Sequence, residues 1–513
     1  MKNWENLFKS KRVTLMGLGL LGRGVGDAVF LAKAGAKLTV TDLKNKKELT
    51  PSLKALKKFK DIKFVLGEHR LEDFQKTDMV VKAAGVPLDS PFVLEAQKCG
   101  IPVAMSASLF AEYTEAEVVG ITGTRGKSTV AFLLREILKE RNKERNKKEH
   151  NKTNSKTNSN PSKNSASKVF LGGNVLGVST LNLLSKTKAG DTAVLELDSW
   201  QLQGFGGTHN RQLPKKPEEF FGFSPSVAVF TTFMPDHMNY YNNDMKRYFD
   251  DKANIYRFQT ADDVLIMSEQ VADYIKRFGP EPKSKVAIAR TTDIPDSWKI
   301  KIPGEHNRLN IALAFAAAKF LGVSEKTIRK VVESFKAIPG RLELVRKYKG
   351  VEIYNDTNAT TPEATMAGLM AFGKNSGKNS HKDPNKNSDK NPKNNQGTIL
   401  IFGGADKNLN PNELLKILSH YAKALVVLPG TGTDLIKEKI TAEYFDRPSE
   451  KSGSSSKRLS VIFVKNMAEA VKSALGFAVS GDRILMSPAF ASFGLFKNEY
   501  DRGDQFNKIV KGL

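Results

Sequence analysis

The chain has one cysteine, Cys99, in 513 residues, so no intramolecular disulfide is available to it. That excludes a small stapled scaffold and fits a reducing compartment. No run of eighteen uncharged apolar residues occurs, and the first residues, MKNWENLFKSKRV, carry no apolar signal core. The most apolar helical stretch, LNIALAFAAAKFLG, is interrupted by Lys319 and reads as a core helix. A cytoplasmic, soluble protein that engages no membrane is expected, and there is no clustered Cys/His spacing of the kind that holds zinc.

Positive charge is abundant: 80 Lys+Arg against 55 Asp+Glu give +25. Its distribution decides what it means, because three stretches, 139–168, 374–393 and 447–458, carry +14 of that excess. They are Lys/Asn/Ser repeats, such as NKKEHNKTNSKTNSNPSKNS, without the apolar periodicity that offsets the entropy of ordering. They are expected to be disordered surface insertions at about 139–168, 374–397 and 447–458. No aromatic residue is interleaved with these lysines to stack on bases, so a specific nucleic-acid partner is not expected. A basic P-loop nucleic-acid-binding protein is the reading from another class that the charge alone would support.

The remaining sequence alternates short apolar strands with helical patterns, which implies mostly parallel α/β architecture in three domains. RVTLMGLG, a helix to about Lys33, and KLTVTD make a βαβ unit, with Gly17, Gly19 and Gly22 in G-x-G-x-x-G spacing at its first turn. Such a turn brings backbone close to a phosphate, and Asp42 ends the second strand where a ribose hydroxyl or a neighbouring group is met. Alone, the same turn also serves simply to pack strand on helix.

The strongest local signal is EVVGITGTRGKSTVAFLLREILKE, in which Gly120, Gly126, Lys127 and Ser128 satisfy G-x-x-x-x-G-K-[ST] between a strand and a helix. Backbone N–H groups from Gly123 to Thr129 cradle phosphate oxygens in such a loop, Lys127 places a point charge on them, and Ser128 ligates Mg²⁺. Strands TAVLELDSW and SVAVFTTFM follow, with Glu196 positioned to complete a Mg²⁺ site opposite Ser128. His237 and Lys252 are individually unremarkable, since a lone histidine is more often structural and a helix lysine usually solvated. Pro339-Gly340 marks a boundary, after which VEIYNDT, GTILIFGGADK, KALVVLPGTG, LSVIFV and DRILMSPAF make a third α/β unit. The expected domains are 1–111, 112–338 and 339–513.

The order of GITGTRGKST, LELDSWQL, DHMNYY with Lys252 downstream, GEHNRLN, IPGRLE, NDTNATTPEAT, GGADK and SPAFASFGLFKNEYDRG resembles the Mur ligases. Within them the G-x-G-x-x-G start and the closing block resemble the D-glutamate-adding branch. The resemblance implies a Rossmann-like domain for a UDP-sugar, a central ATPase domain and a C-terminal Rossmann-like domain bringing an amino acid. It implies ATP-dependent ligation of D-glutamate to UDP-N-acetylmuramoyl-L-alanine through an acyl phosphate, in peptidoglycan precursor synthesis, by a monomer. A related ligase adding another amino acid, such as L-glutamate, is the alternative.

By the same resemblance Lys127, His237 and Lys252 are catalytic. Two Mg²⁺ ions are held by Ser128, Glu196, His237 and a carbamylated Lys252. ATP is met by Gly123, Thr124, Arg125, Gly126, Lys127, Ser128, Thr129, Asn310, Arg341 and Asp356. The substrates are met by Gly19, Leu20, Leu21, Asp42, Lys44, Asn174, Thr360, Lys407, Ser492 and Phe493. Departures from the family pattern are Arg125 and Asn358, where Asn and Lys are usual, Gly340 in place of a His, and Ala83-Ala84-Gly85 in place of Ser-Pro-Gly. Arg125 adds a positive charge beside the phosphates, and Asn358 removes one near the amino acid.

Overall fold

The apolar segments become strands of three sheets in a computed structural model that describes residues 4–153, 166–206, 222–373, 397–444 and 459–513. The first sheet contains β1 (Arg12–Met16), β2 (Lys37–Asp42), β3 (Lys63–Leu66), β4 (Met79–Lys82) and β5 (Val103–Ala104) in the order β3-β2-β1-β4-β5. The second contains β6 (Glu117–Thr122), β7 (Val169–Gly173), β8 (Thr192–Glu196), β9 (Val227–Phe230), β10 (Val264–Ser268) and β11 (Lys285–Ala289), ordered β11-β10-β9-β6-β8-β7. All pairs in these two sheets are parallel. The near-continuous apolar runs of β6, β8 and β9 fit that arrangement, because a parallel sheet is covered on both faces.

The third sheet contains β12 (Glu343–Tyr348), β13 (Val351–Asn355), β14 (Thr398–Phe402), β15 (Ala424–Val427), β16 (Ser460–Phe463) and β17 (Arg483–Met486), ordered β12-β13-β17-β14-β15-β16. Only β12 pairs antiparallel, as an edge strand joined to β13 and bulged between Leu344 and Arg346. The α/β architecture is as expected. The chain divides into two compact units, residues 1–298 with 309–332, and residues 299–308 with 333–513. The first two sheets therefore share one unit and the third has its own.

One expectation is corrected. The helix that follows the P-loop does not stop before the first basic insertion but runs from Lys127 to Thr153. Its polar face is anchored: Lys330 Nζ meets Glu140 at 2.6 Å, Thr327 Oγ1 donates to Glu144 at 2.7 Å, and Arg141 donates to the Leu321 carbonyl at 3.1 Å. Asn142 donates to the Ser167 carbonyl at 2.8 Å. Charged residues without apolar periodicity here form a helix because their partners lie on the helix Glu325–Ser334 and its approach. Residues 154–165 and the other two insertions, apart from Gly397, lie outside the described residues.

The first two sheets are joined by a buried carboxylate. Asp27, on the helix Arg23–Lys33, accepts from Ser106 Oγ at 2.9 Å and Ser179 Oγ at 2.6 Å, while Ser106 Oγ also accepts from Leu181 N at 2.9 Å. Burial pushes the Asp27 carboxyl up to about 6, against the opposing hydrogen bonds of the two serines and the charge of Arg23. Because the folded state holds this proton more tightly than the unfolded chain, its contribution to stability is full below about pH 4 and lost as pH rises through about 6. Asp27→Asn is expected to remove that part of the pH dependence, worth at most about 3 kcal/mol. Urea midpoints at pH 4.5 and 7.5 check it, and an unchanged difference between them contradicts it.

Candidate active site

β6 delivers the chain into the P-loop, and the loop conformation demands its glycines. Gly123 (φ 141°) and Gly126 (φ 88°) lie in left-handed space, where a Cβ would stand 2.0 Å from Thr231 Oγ1 and 2.2 Å from Asn310 Oδ1, respectively. The loop is seated on the end of β9: Thr124 N donates to the Thr232 carbonyl at 2.7 Å and Arg125 N to Thr232 Oγ1 at 2.9 Å. Lys127 opens the helix, so Ser128 and Thr129, both buried, sit in its first turn. Asn310, also buried, reaches this loop from a helix nearly two hundred residues away in sequence.

Two ammonium groups converge on one carbonyl. Lys127 Nζ donates to Gly123 O at 2.9 Å and Thr124 O at 3.2 Å, and Lys252 Nζ donates to the same Gly123 O at 3.0 Å. Lys252, on the helix Met245–Ala253, is 1% exposed, with its Nζ 4.9 Å from the centroid of the Tyr248 ring. Burial, reinforced by the charge of Lys127, pushes its pKa well below the ordinary lysine value. This amine is therefore poised to exist in the neutral, nucleophilic form.

His237 adopts φ 55° and packs its ring 4.7 Å, centroid to centroid, from Trp200. Burial lowers its pKa, with Lys252 and Lys127 adding to the effect and Asp236 opposing it. A neutral imidazole keeps a lone pair for a cation. Glu196, at the end of β8, is 4% exposed, and its carbonyl accepts from Asn174 N at 2.6 Å. Among the described residues no group of three or more His, Cys, Asp and Glu side chains is placed to hold a metal. The donors present, a serine hydroxyl, a buried glutamate, an imidazole and a lysine amine whose pKa values are both lowered, suit a hard cation that completes its shell with water and phosphate oxygens.

Arg125 is ion-paired within the site. Its guanidinium bonds Asp236 Oδ2 at 3.0 Å, and Asp236 Oδ1 accepts from His237 N at 3.0 Å. The turn carrying His237 is thus tied to the P-loop. Asp236 and Trp200 were not singled out from sequence. An Asp directly before the His was the available signal.

In the first sheet, Asp42 meets its own loop: Oδ2 accepts from Leu18 N and Gly19 N at 2.8 and 2.9 Å, and Oδ1 from Lys44 N at 2.8 Å. Leu20 and Leu21 remain 51% and 39% exposed beside it, and Lys44 is exposed. Asn174 follows β7 and accepts on Oδ1 from Arg23, another residue the sequence reading did not select.

The second unit assembles the expected amino-acid residues. Lys407 Nζ donates to Thr360 Oγ1 at 3.1 Å, and an isolated bridge between Ala405 and Ala491 sets the Lys407 loop beside Ser492 and Phe493. Ser492 is buried and Phe493 is 64% exposed. Arg502, fully buried, binds Thr357 Oγ1 at 3.1 Å, the Thr357 carbonyl at 2.9 Å and the Phe490 carbonyl at 3.1 Å, clamping the two loops together. Burial lowers its pKa to about 10. Asp356 is enclosed, accepting from Ser487 Oγ at 2.9 Å and Leu342 N at 3.1 Å, and burial pushes its carboxyl up to about 7. Arg341 lies close enough in charge to oppose that shift. Asn358 Nδ2 donates to the Pro339 carbonyl at 3.4 Å.

A P-loop seated on a parallel sheet, with a buried lysine donating to its Gly123 carbonyl, defines the class of nucleotide-binding α/β proteins. The description "Mur ligase middle domain" matches residues 121–289, and "Mur ligase MurD-like, N-terminal domain" matches residues 11–105. The UDP-N-acetylmuramoylalanine–D-glutamate ligase of Roseiflexus sp. (strain RS-1) is 32% identical, over 98% of this chain and 99% of that protein. Proteins of the same name from Borreliella afzelii and Acetivibrio thermocellus are 32% and 30% identical, over 98% and 100% of this chain and 98% and 99% of theirs. The UDP-N-acetylmuramate–alanine ligase MurC of Thermotoga maritima shares the fold, with TM-score 0.55 at 16% identity over 98% of this chain and 99% of that one. The chain belongs to the Mur ligase family, in its UDP-N-acetylmuramoylalanine–D-glutamate ligase (MurD) branch.

Proposed function

We propose that this chain joins D-glutamate to UDP-N-acetylmuramoyl-L-alanine at the expense of ATP, making an amide, ADP and phosphate for peptidoglycan synthesis. The observation that carries the reading is end-to-end kinship with D-glutamate ligases in a chain whose P-loop carbonyl gathers both Lys127 and Lys252. It acts in this reading as a monomer on soluble substrates in the cytoplasm; among the described residues no helix is long and apolar enough to cross a membrane.

The L-alanine carboxylate attacks the γ-phosphorus, the bond to the β-phosphate oxygen breaks, and ADP leaves an acyl phosphate. The D-glutamate amine, having lost a proton, then adds to the acyl carbon, and the tetrahedral adduct expels phosphate. Bringing two anions together is the difficulty, so the task of the residues is positioning and charge neutralisation. Lys127 leaves Gly123 O for the transferring phosphoryl oxygens, while Gly123 to Thr129 cradle the others and Asn310 packs against the loop. Ser128, Glu196, His237 and Lys252 would hold two Mg²⁺ ions, with Lys252 as the carbamate formed when its neutral amine adds CO₂ and releases a proton. Bound Mg²⁺ screens the phosphate charge.

Gly19, Leu20, Leu21 and Lys44 face the UDP-sugar, with Asp42 shaping their loop and Asn174 beside it. Arg341 and Asp356 are assigned to ATP. Thr360, Lys407, Ser492 and Phe493 receive D-glutamate, whose carboxylates need the Lys407 cation. Lys407→Ala is expected to raise KM for D-glutamate about 10–100-fold with KM for ATP unchanged, read from initial rates. Equal changes in both would assign Lys407 elsewhere. The overall reading is tested by phosphate release, which should require all three substrates and match amide formation one to one. Phosphate released at full rate without the UDP-sugar would contradict it.

A further inference from the structure

The glycine-rich turn of the first sheet already holds an anion of its own. The N–H groups of Leu18 and Gly19, which such a turn normally presents to a phosphate, both donate to Asp42 Oδ2. A diphosphate approaching this loop meets engaged donors with a carboxylate behind them. Something else must supply the positive charge.

The cation built into the turn is Arg23, which directly follows Gly22 and opens the helix Arg23–Lys33. Its Nη1 donates to Asn174 Oδ1, across to the segment that follows β7. The two segments are in backbone contact here: Gly177 N donates to the Leu21 carbonyl at 3.0 Å, and a Cβ on Gly22 would lie 3.3 Å from the Gly177 Cα. Arg23 is half-buried between them, and among the described residues no carboxylate forms an ion pair with it. Asp27, one turn along, is engaged by Ser106 and Ser179. A guanidinium has five donors, so Arg23 can keep Asn174 and still present a fork to phosphate oxygens.

We propose that Arg23 binds the diphosphate of the nucleotide-sugar substrate, supplying the charge that the Asp42-filled glycine turn lacks. This rests on the UDP-sugar reading above and adds to it a residue outside the motifs that carry that reading. Two single substitutions separate charge from tethering. Arg23→Gln keeps a donor for Asn174 and loses the charge, whereas Arg23→Lys keeps the charge and loses the fork.

Binding of UDP-N-acetylmuramoyl-L-alanine, UDP and uridine to the full chain is measured by calorimetry at low and high salt. Arg23→Gln is expected to weaken both diphosphate ligands about 10–100-fold and flatten their salt dependence, with Arg23→Lys recovering most of the loss. Uridine and ATP should bind all three proteins alike. Equal binding by wild type and Arg23→Gln would overturn the proposal. So would Arg23→Lys losing as much as Arg23→Gln with uridine weakened in parallel, since that marks Arg23 as a tether between segments. Wild type binding neither diphosphate ligand would overturn the substrate reading itself, a result distinct from either of these.

Discussion

Lys127→Ala is expected to lower turnover by about a thousandfold or more, with the fold intact. The magnitude follows from the charge that must be met when a carboxylate approaches a γ-phosphate in a water-poor loop. Lys127 is the P-loop lysine and donates to carbonyls of its own loop, Gly123 at 2.9 Å and Thr124 at 3.2 Å, contacts it can exchange for phosphate oxygens. Arg125 is ion-paired with Asp236 at 3.0 Å and so brings less net charge to the loop than Lys127. The strands beneath keep their packing in the variant, so its melting temperature should stay within a few degrees of wild type. Steady-state phosphate release at saturating ATP checks the prediction. Turnover within tenfold of wild type would remove Lys127 from the mechanism.

Lys252→Met is expected to cost about a hundredfold or more in turnover, and wild-type activity should fall when dissolved CO₂ is stripped and return when bicarbonate is added. Lys252 is a buried amine that, among the described residues, donates to no carboxylate; it faces Lys127 across the Gly123 carbonyl and is held well below the ordinary lysine pKa. Two cations so placed repel, and converting one to an anionic carbamate turns the repulsion into attraction while creating an oxygen ligand for Mg²⁺. Protein equilibrated with ¹³C-bicarbonate should show a carbamate carbon signal that Lys252→Met lacks. Full activity in CO₂-free buffer, with no such signal, would leave Lys252 acting as an amine.

The sheets and the P-loop were legible because their information is local. Apolar runs such as LVV in β15 and the glycine spacing before Lys127 dictate strand, turn and helix within a few residues. What escaped depends on partners far apart in the chain. Asp42 closes on Leu18 from 24 residues away, Arg125 on Asp236 from 111, Arg502 on Thr357 from 145 and Arg23 on Asn174 from 151. Each of these side chains looks like an ordinary surface or motif charge when its partner is unknown. The basic start of the first insertion misled for the same reason: Glu140 and Glu144 find Lys330 and Thr327 on another helix, and composition alone registers no such docking. The expected amino-acid residues came together because they lie in loops at the same end of one sheet, as the alternating topology of a parallel fold requires.

The most direct measurement of the central claim is product mass and phosphate release with ATP, Mg²⁺ and UDP-N-acetylmuramoyl-L-alanine, comparing D-glutamate, L-glutamate, D-aspartate, L-lysine and meso-diaminopimelate. The account predicts turnover with D-glutamate alone, the neutral Asn358 being tolerated because Lys407 and Thr360 already provide a cation and a hydroxyl. Turnover with a different amino acid in preference to D-glutamate would contradict it.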